Sequence, residues 1–237
     1  MYLSMNEAIC IIDYQGGGNL FSLDNSFKYL GANTYRSSDP AEIAKADKII
    51  FPGVGSFANA MRQIHKLNLA DVIRQKSQSG IPFMGICVGM QVLFASSSES
   101  SKEDKLDIVD GLNIFEMPIR KFDFLKIKQA DLSEKIKIPH MGWNQVTLEE
   151  GSSNPLFKDI PNSSDFYFVH SYRAHAKDAG ISESMTKRFP KLEMAQTNYI
   201  EDFVSHIWNG ENLFACQFHP EKSSETGLQL LNNFVKL

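Results

Sequence analysis

Residues Phe83 to Gln91 read FMGICVGMQ. An apolar, strand-like run, IPFMGIC, ends in the pattern Gly85-Ile86-Cys87-Val88-Gly89. The apolar spacing then turns helical in VGMQVLF. A cysteine between glycines at a strand-to-helix junction is the cysteine counterpart of a nucleophile elbow. The tight turn demands small neighbours or unusual backbone angles. Two readings of Cys87 stay open on these residues. It is a small hydrophobe closing a buried strand, or a nucleophile. In the second case the N–H groups of the following helix favour its thiolate. The Val88 N–H would then help to hold an oxyanion.

The pattern repeats upstream. AICIIDY (Ala8 to Tyr14) and KIIFPGVG (Lys48 to Gly55) are short, β-branched runs ending in glycine turns, and read as buried strands. Between them Leu20, Leu23, Phe27 and Leu30 recur at helical spacing, with Gly31 as a stop. NTYRSS fits a short strand and DPAEIAKA a short helix. Met61, Ile64 and Leu67 to Ile73 continue a helical period. Alternating strands and helices imply a parallel sheet with crossover helices. Downstream, NQVTL, DFYFVHSY, LEMAQTNY, FVSHIW and LFACQF are short, aromatic or β-branched, and separated by turn signals. They predict a mixed or antiparallel extension of the sheet. SSSESSKEDK (Ser96 to Lys105) reads as a polar loop. Leu228, Leu231, Phe234 and Val235 predict a docked terminal helix. The expected architecture is α/β, one doubly wound domain over residues 1–237 with a largely parallel central sheet.

Composition narrows the function classes. A net charge of −4 offers no basic surface for nucleic acid. No apolar stretch approaches the roughly 20 residues a membrane helix needs, and the N-terminus does not read as a signal peptide. Three cysteines, Cys10, Cys87 and Cys216, lack metal-ligand spacing and fit free thiols in a reducing cytoplasm. Cys10 and Cys216 lie inside apolar strands and read as core.

A thiolate nucleophile needs a proton shuttle. Of the six histidines, His65 and His175 sit in polar stretches and His206 in a strand pattern. His219 stands apart in ACQFHPEKS. It follows a strand end, Pro220 fixes the turn, and Glu221 is placed to orient the imidazole. Gln91 lies one helical turn beyond Cys87 on the same face, as a substrate contact or as ordinary helix surface. Trp143 fits either a core position or an interface anchor.

These residues together resemble the class I, triad-type glutamine amidotransferases. FPGVGSF (Phe51 to Phe57), IPHMGWNQV (Ile138 to Val146), FYFVHSY (Phe166 to Tyr172) and QFHPEKS (Gln217 to Ser223) look like the glutaminase subunit of imidazole glycerol phosphate synthase. The similarity runs along nearly the whole chain and implies a flavodoxin-like fold. It implies that Cys87 attacks the side-chain amide of L-glutamine, with His219 and Glu221 completing the triad. It places the second oxyanion donor at Gly53-Val54. It assigns substrate holding to Gly55, Gln91, Glu99, His170, Ser171 and Tyr172. It implies a separate cyclase subunit in a heterodimer, docked at Asn19, His140, Met141, Trp143, Asn144 and Lys222. It calls for no cofactor and no metal ion.

The chain departs from the family in places. The glycine loop DYQGGGNL is one residue longer than the usual pattern and lacks the spacing of a nucleotide-binding loop. Arg120 to His140 is longer than expected, and Ile200 replaces a more usual glycine. None of these touches the triad. They leave open the acceptor of the ammonia, which similar subunits also supply to sugar amidotransferases. A stand-alone γ-glutamyl hydrolase is disfavoured by PHMGWN and HPEKS. A non-enzymatic binding module is disfavoured by the complete Cys, His and Glu set.

Overall fold

Strand β1 (Ala8–Ile12) carries the sequence AICII, buried from Ile9 onward. It runs parallel to β2 (Asn33–Ser37) on one side and to β3 (Lys48–Gly53) on the other. β3 pairs in parallel with β4 (Phe83–Cys87), and β4 with β13 (Leu213–Cys216). β1, β3, β4 and β13 are covered on both faces and are buried runs without alternation, whereas β2 (NTYRS) is the polar edge strand. In this computed structural model the described residues are 7–14, 20–99, 108–123, 137–175 and 182–237.

The crossovers are α1 (Leu20–Tyr29), α2 (Pro40–Ile43), α3 (Phe57–Lys66) and α4 (Ala70–Ser77). The starts of α2 and α3 have a local cause. The Asp39 carboxylate accepts from the Ala41 N–H at 2.8 Å and Pro40 pre-sets the first turn of α2. Ser56 caps α3. The helical period read across Met61 to Ile73 is in fact two helices, because Asn68 takes a positive φ of 55° and turns the chain between them.

Next, β12 (Asp202–Trp208) pairs with β13, and the order continues through β10 (Tyr172–Ala174), β7 (Phe115–Lys121), β5 (Phe94–Ser97) and β6 (Val109–Asp110). Beyond β13 the pairing is antiparallel except between β5 and β7, which run parallel. A side branch runs from β12 to β11 (Glu193–Asn198), β8 (His140–Leu148) and β9 (Ser164–His170). α6 (Glu183–Arg188) connects β10 to β11. The terminal helix α7 (Ser224–Val235) packs on α1 and on the short turn Pro155–Phe157. The buried Lys48 ammonium reaches the Val235 carbonyl at 2.6 Å and ties the end of α7 to the start of β3.

Two local expectations are corrected. VGMQVLF begins a helix, α5, only four residues long (Val88–Gln91). From Phe94 the chain becomes β5, because Phe94, Ser96 and Ser97 find partners on β7. Ladder pairing with a distant strand overrides the local helical period. Ser96 and Ser97 therefore belong to a strand rather than a loop, and residues 100–107 lie outside the described set.

The elbow at Cys87 depends on glycine. A Cβ added to Gly89 would sit 1.9 Å from the Phe51 carbonyl oxygen, so α5 and β3 touch backbone to backbone. Gly89→Ala is expected to lower stability by about 3 kcal/mol or more, measured as the urea midpoint against wild type. His206 is fully buried, with Nδ1 3.4 Å from Asn154 Nδ2, and burial holds its pKa down at about 3. The unfolded chain takes up this proton below its ordinary value of 6.5, and the folded chain refuses it down to about 3. Stability is therefore full above pH 6.5 and falls as the pH drops through that window. His206→Gln should flatten the acid limb of stability, by at most about 1.4 kcal/mol per pH unit.

Candidate active site

Cys87 ends β4 directly opposite Gly53 in the β3–β4 register. Its backbone takes φ 55° and ψ −112°, a left-handed conformation that costs an L-residue about 1–3 kcal/mol. That strain lifts the side chain off the sheet at the carboxyl ends of the parallel strands, where open α/β sheets bind ligands. The thiol lies 4.0 Å from the Val169 carbonyl and accepts from Gln217 Nε2 at 3.7 Å. With α5 only one turn long, the expected helix-dipole support for the thiolate shrinks to its first N–H groups.

His219 stands just past the end of β13 and caps the turn Pro220–Lys222. Its Nδ1 lies 2.8 Å from Glu221 Oε1, and both side chains are 2% exposed. A carboxylate can only accept, so Nδ1 carries the proton and Nε2 is left for the chemistry. Nε2 has no partner in hydrogen-bonding geometry, although the Cys87 sulfur is close enough to act on the ring. Burial alone would push the His219 pKa down. The nearby Cys87 sulfur, then Glu221, reverse this and raise it to about 10. The ring is thus built to hold a proton while the sulfur is negative. Ser223 Oγ donates to the His219 carbonyl at 2.6 Å and accepts from Tyr167 N at 2.9 Å, which pins the turn to β9.

A cavity of about 260 Å³ opens beside Cys87 and His219. Gly55, Gln91, Glu99, His170, Ser171 and Tyr172 all line it. Val54 and Val88 reach it too, whereas Gly53 is buried beneath, where an added Cβ would meet the Tyr14 hydroxyl at 2.6 Å. Glu99 accepts from the Phe57 N–H, the first residue of α3, at 2.8 Å. Burial raises its pKa, opposed by that N–H and by Lys121. Gln91 is 2% exposed, and its Nε2 donates inward to the Tyr172 carbonyl (3.0 Å) and to Gln217 (2.9 Å). Both of its donor hydrogens are spent within the protein. The sequence reading missed Pro139 and Val169, which also line the cavity, and Gln217. Gln217 stands two residues before His219, and strand alternation was the available signal for a shared side.

The other histidines separate cleanly. His65 is exposed on α3. His175, expected in a polar loop, is buried with its Nε2 3.8 Å from Glu201. Among the residues assigned to the partner face, Met141 (62% exposed) and Trp143 (53%) project from β8. Trp143 packs edge-on to Tyr167, and Lys222 Nζ lies over the same ring at 5.9 Å. Asn144 is half-buried and donates to the Asn198 carbonyl at 2.9 Å. His140 faces inward instead. It is 2% exposed, stacks on Tyr199 at 3.9 Å and lies 3.1 Å from His170. The aromatic lid on β8 accounts for this, and burial lowers the His140 pKa to about 4. Asn19 lies outside the described residues.

Residues 12–237 match the family described as Glutamine amidotransferase class-I. The chain is 42% identical over 230 residues to the imidazole glycerol phosphate synthase subunit HisH of Thermosynechococcus vestitus, covering 97% of each chain. It is 36% identical over 234 residues to subunit HisH 1 of the same synthase from Legionella pneumophila, covering 98% of this chain and all of that one. Its fold is similar to that of PurLQS from Thermotoga maritima, with a TM-score of 0.65 at 16% identity over 98% of this chain and 99% of that one. A glutamine amidotransferase from the same organism gives 0.58 at 12% identity, covering 93% and 78%. The solved structures speak to the α/β fold with its mixed sheet, and the family match spans both the elbow and the histidine turn. This chain belongs to the class I glutamine amidotransferases.

Proposed function

We propose that this chain is the glutamine-hydrolysing subunit of an imidazole glycerol phosphate synthase, passing ammonia to a cyclase subunit in a heterodimer. The observation that carries the reading is one cavity bordered by Cys87, His219 and Glu99, with Glu221 behind the imidazole. The names of the relatives support the pathway, histidine biosynthesis, and the free, buried cysteines Cys10, Cys87 and Cys216 fit a cytoplasmic setting. The chain acts as one domain.

The Cys87 thiolate attacks the side-chain carboxamide carbon of glutamine. The carbonyl oxygen takes the negative charge and is met by the N–H groups of Val88 and of the Gly53-Val54 turn. His219, protonated at Nε2, gives that proton to the departing amine, and ammonia leaves a γ-glutamyl thioester on Cys87. His219, now neutral, takes a proton from water as the water attacks the thioester. Glutamate leaves and the thiolate–imidazolium pair returns. The new carboxyl group gives up its proton, and the sum is glutamine plus water to glutamate, ammonia and a proton. Glu221 keeps the Nδ1 proton in place throughout. The Glu99 carboxylate matches the α-ammonium group of the amino-acid substrate.

Ammonia picks up a proton in bulk water and ceases to be a nucleophile, so the product needs a covered exit. Met141 and Trp143 form the apolar part of the docking face, with Tyr167 and Lys222 beside them. Cys87→Ala is expected to cut glutamate release by the complex by on the order of a thousandfold or more, followed by a glutamate-coupled assay. Retained turnover in a folded variant would overturn the mechanism. Trp143→Ala should weaken cyclase binding by about 2 kcal/mol, roughly thirtyfold, measured by titration calorimetry. Its own fold and Cys87 reactivity should be unchanged.

A further inference from the structure

Gln217 is fully buried, and its Nε2 lies 3.7 Å from the Cys87 sulfur. An amide could face the sulfur with either end, and chemistry decides which. The Tyr172 carbonyl only accepts, so the Gln91 atom 3.0 Å from it is the nitrogen. That same nitrogen lies 2.9 Å from Gln217, which must present its oxygen there. The Gln217 N–H is therefore directed to Cys87. A backbone carbonyl sets the direction of two side-chain amides in series, and the last donor in the series ends on the nucleophile.

We propose that Gln217 is a further catalytic residue of the triad site, a neutral donor that holds the Cys87 sulfur as thiolate, with Gln91 as the positioning residue that fixes the direction of its amide. The proposal deepens the amidotransferase reading and rests on Cys87 being the nucleophile. Apart from the His219 imidazolium, the sulfur has few sources of positive potential. The helix behind it is one turn long, and Val169 presents only a carbonyl oxygen, at 4.0 Å. A hydrogen bond to a charged acceptor is stronger than one to its neutral form, so the donor favours the ionised sulfur. Being uncharged, Gln217 does this without competing with His219 for a proton. It also fixes the direction of the sulfur through attack and release.

Alkylation of the whole chain by iodoacetamide, followed across pH by peptide mass mapping of Cys87, tests this without glutamine or partner. Gln217→Met keeps the volume and removes the N–H. Alkylation at neutral pH should slow about tenfold, the loss of one hydrogen bond to a charged group. The rate should return to that of wild type at alkaline pH, which mere disorder of the pocket would not produce. Gln91→Leu leaves Gln217 in place but frees its amide, and should move the profile the same way by less. It decides the matter if Gln217→Met does not fold. A wild-type profile in a folded variant would overturn the proposal. Glutamine turnover by the wild-type complex tests the parent reading separately: its absence would remove the substrate assignment and leave the thiolate result standing.

Discussion

The contact between the backbones of Gly89 and Phe51 is the constraint on which the site depends. α5 can press against β3 only where no Cβ intervenes, and only that approach holds Cys87 at φ 55°. Released from it, the residue would relax to ordinary strand geometry and its sulfur would fall back toward the sheet. The strain is local, but the parts that sustain it are the central strands, buried on both faces and closed by Lys48 bound to the end of α7. Stability in the core is thereby converted into a strained thiol, still buried, at the wall of the cavity.

The charges around that side chain are arranged in order. Glu221 holds one nitrogen of His219, the other is left without a partner, and the sulfur lies nearby. Gln217, a neutral group, faces the same sulfur, and Gln91 holds Gln217 from behind. Glu99 stands at the cavity wall, held by an N–H at the start of α3. Thiol and Gln91 come from one segment, Gln217, imidazole and Glu221 from a second and Glu99 from a third, and the sheet brings these strand ends together.

Features carried by contiguous residues were legible in the sequence. Glycines flanking Cys87 announce a tight turn, and Pro220 with Glu221 announces an oriented histidine, because the physics of a turn is settled within a few residues. Parallel strands were readable as unbroken apolar runs. What was not readable depends on distant partners. Nothing within VGMQVLF says that Phe94 will pair with Phe115. Strand alternation alone could not tell that His140 would be roofed by Tyr199 while Trp143 stayed open. The Gln91–Gln217 bond joins positions 126 residues apart. Residues 15–19 of the glycine loop and 124–136 of the long segment before Ile138 lie outside the described set.

The stretch Gln217 to Ser223 packs several duties into seven consecutive positions. Gln217 faces the sulfur, Phe218 fills the core against Phe166, His219 and Glu221 form the proposed catalytic pair, Lys222 lies over Tyr167 at the proposed docking face and Ser223 ties the turn to β9. Side chains here alternate between interior, cavity and surface with no spare residue. Substitutions can be absorbed one at a time, but a change in length cannot. Inserting or deleting a single codon within this stretch would shift core, catalysis and docking out of phase together. The gene can drift in spelling here while remaining frozen in length.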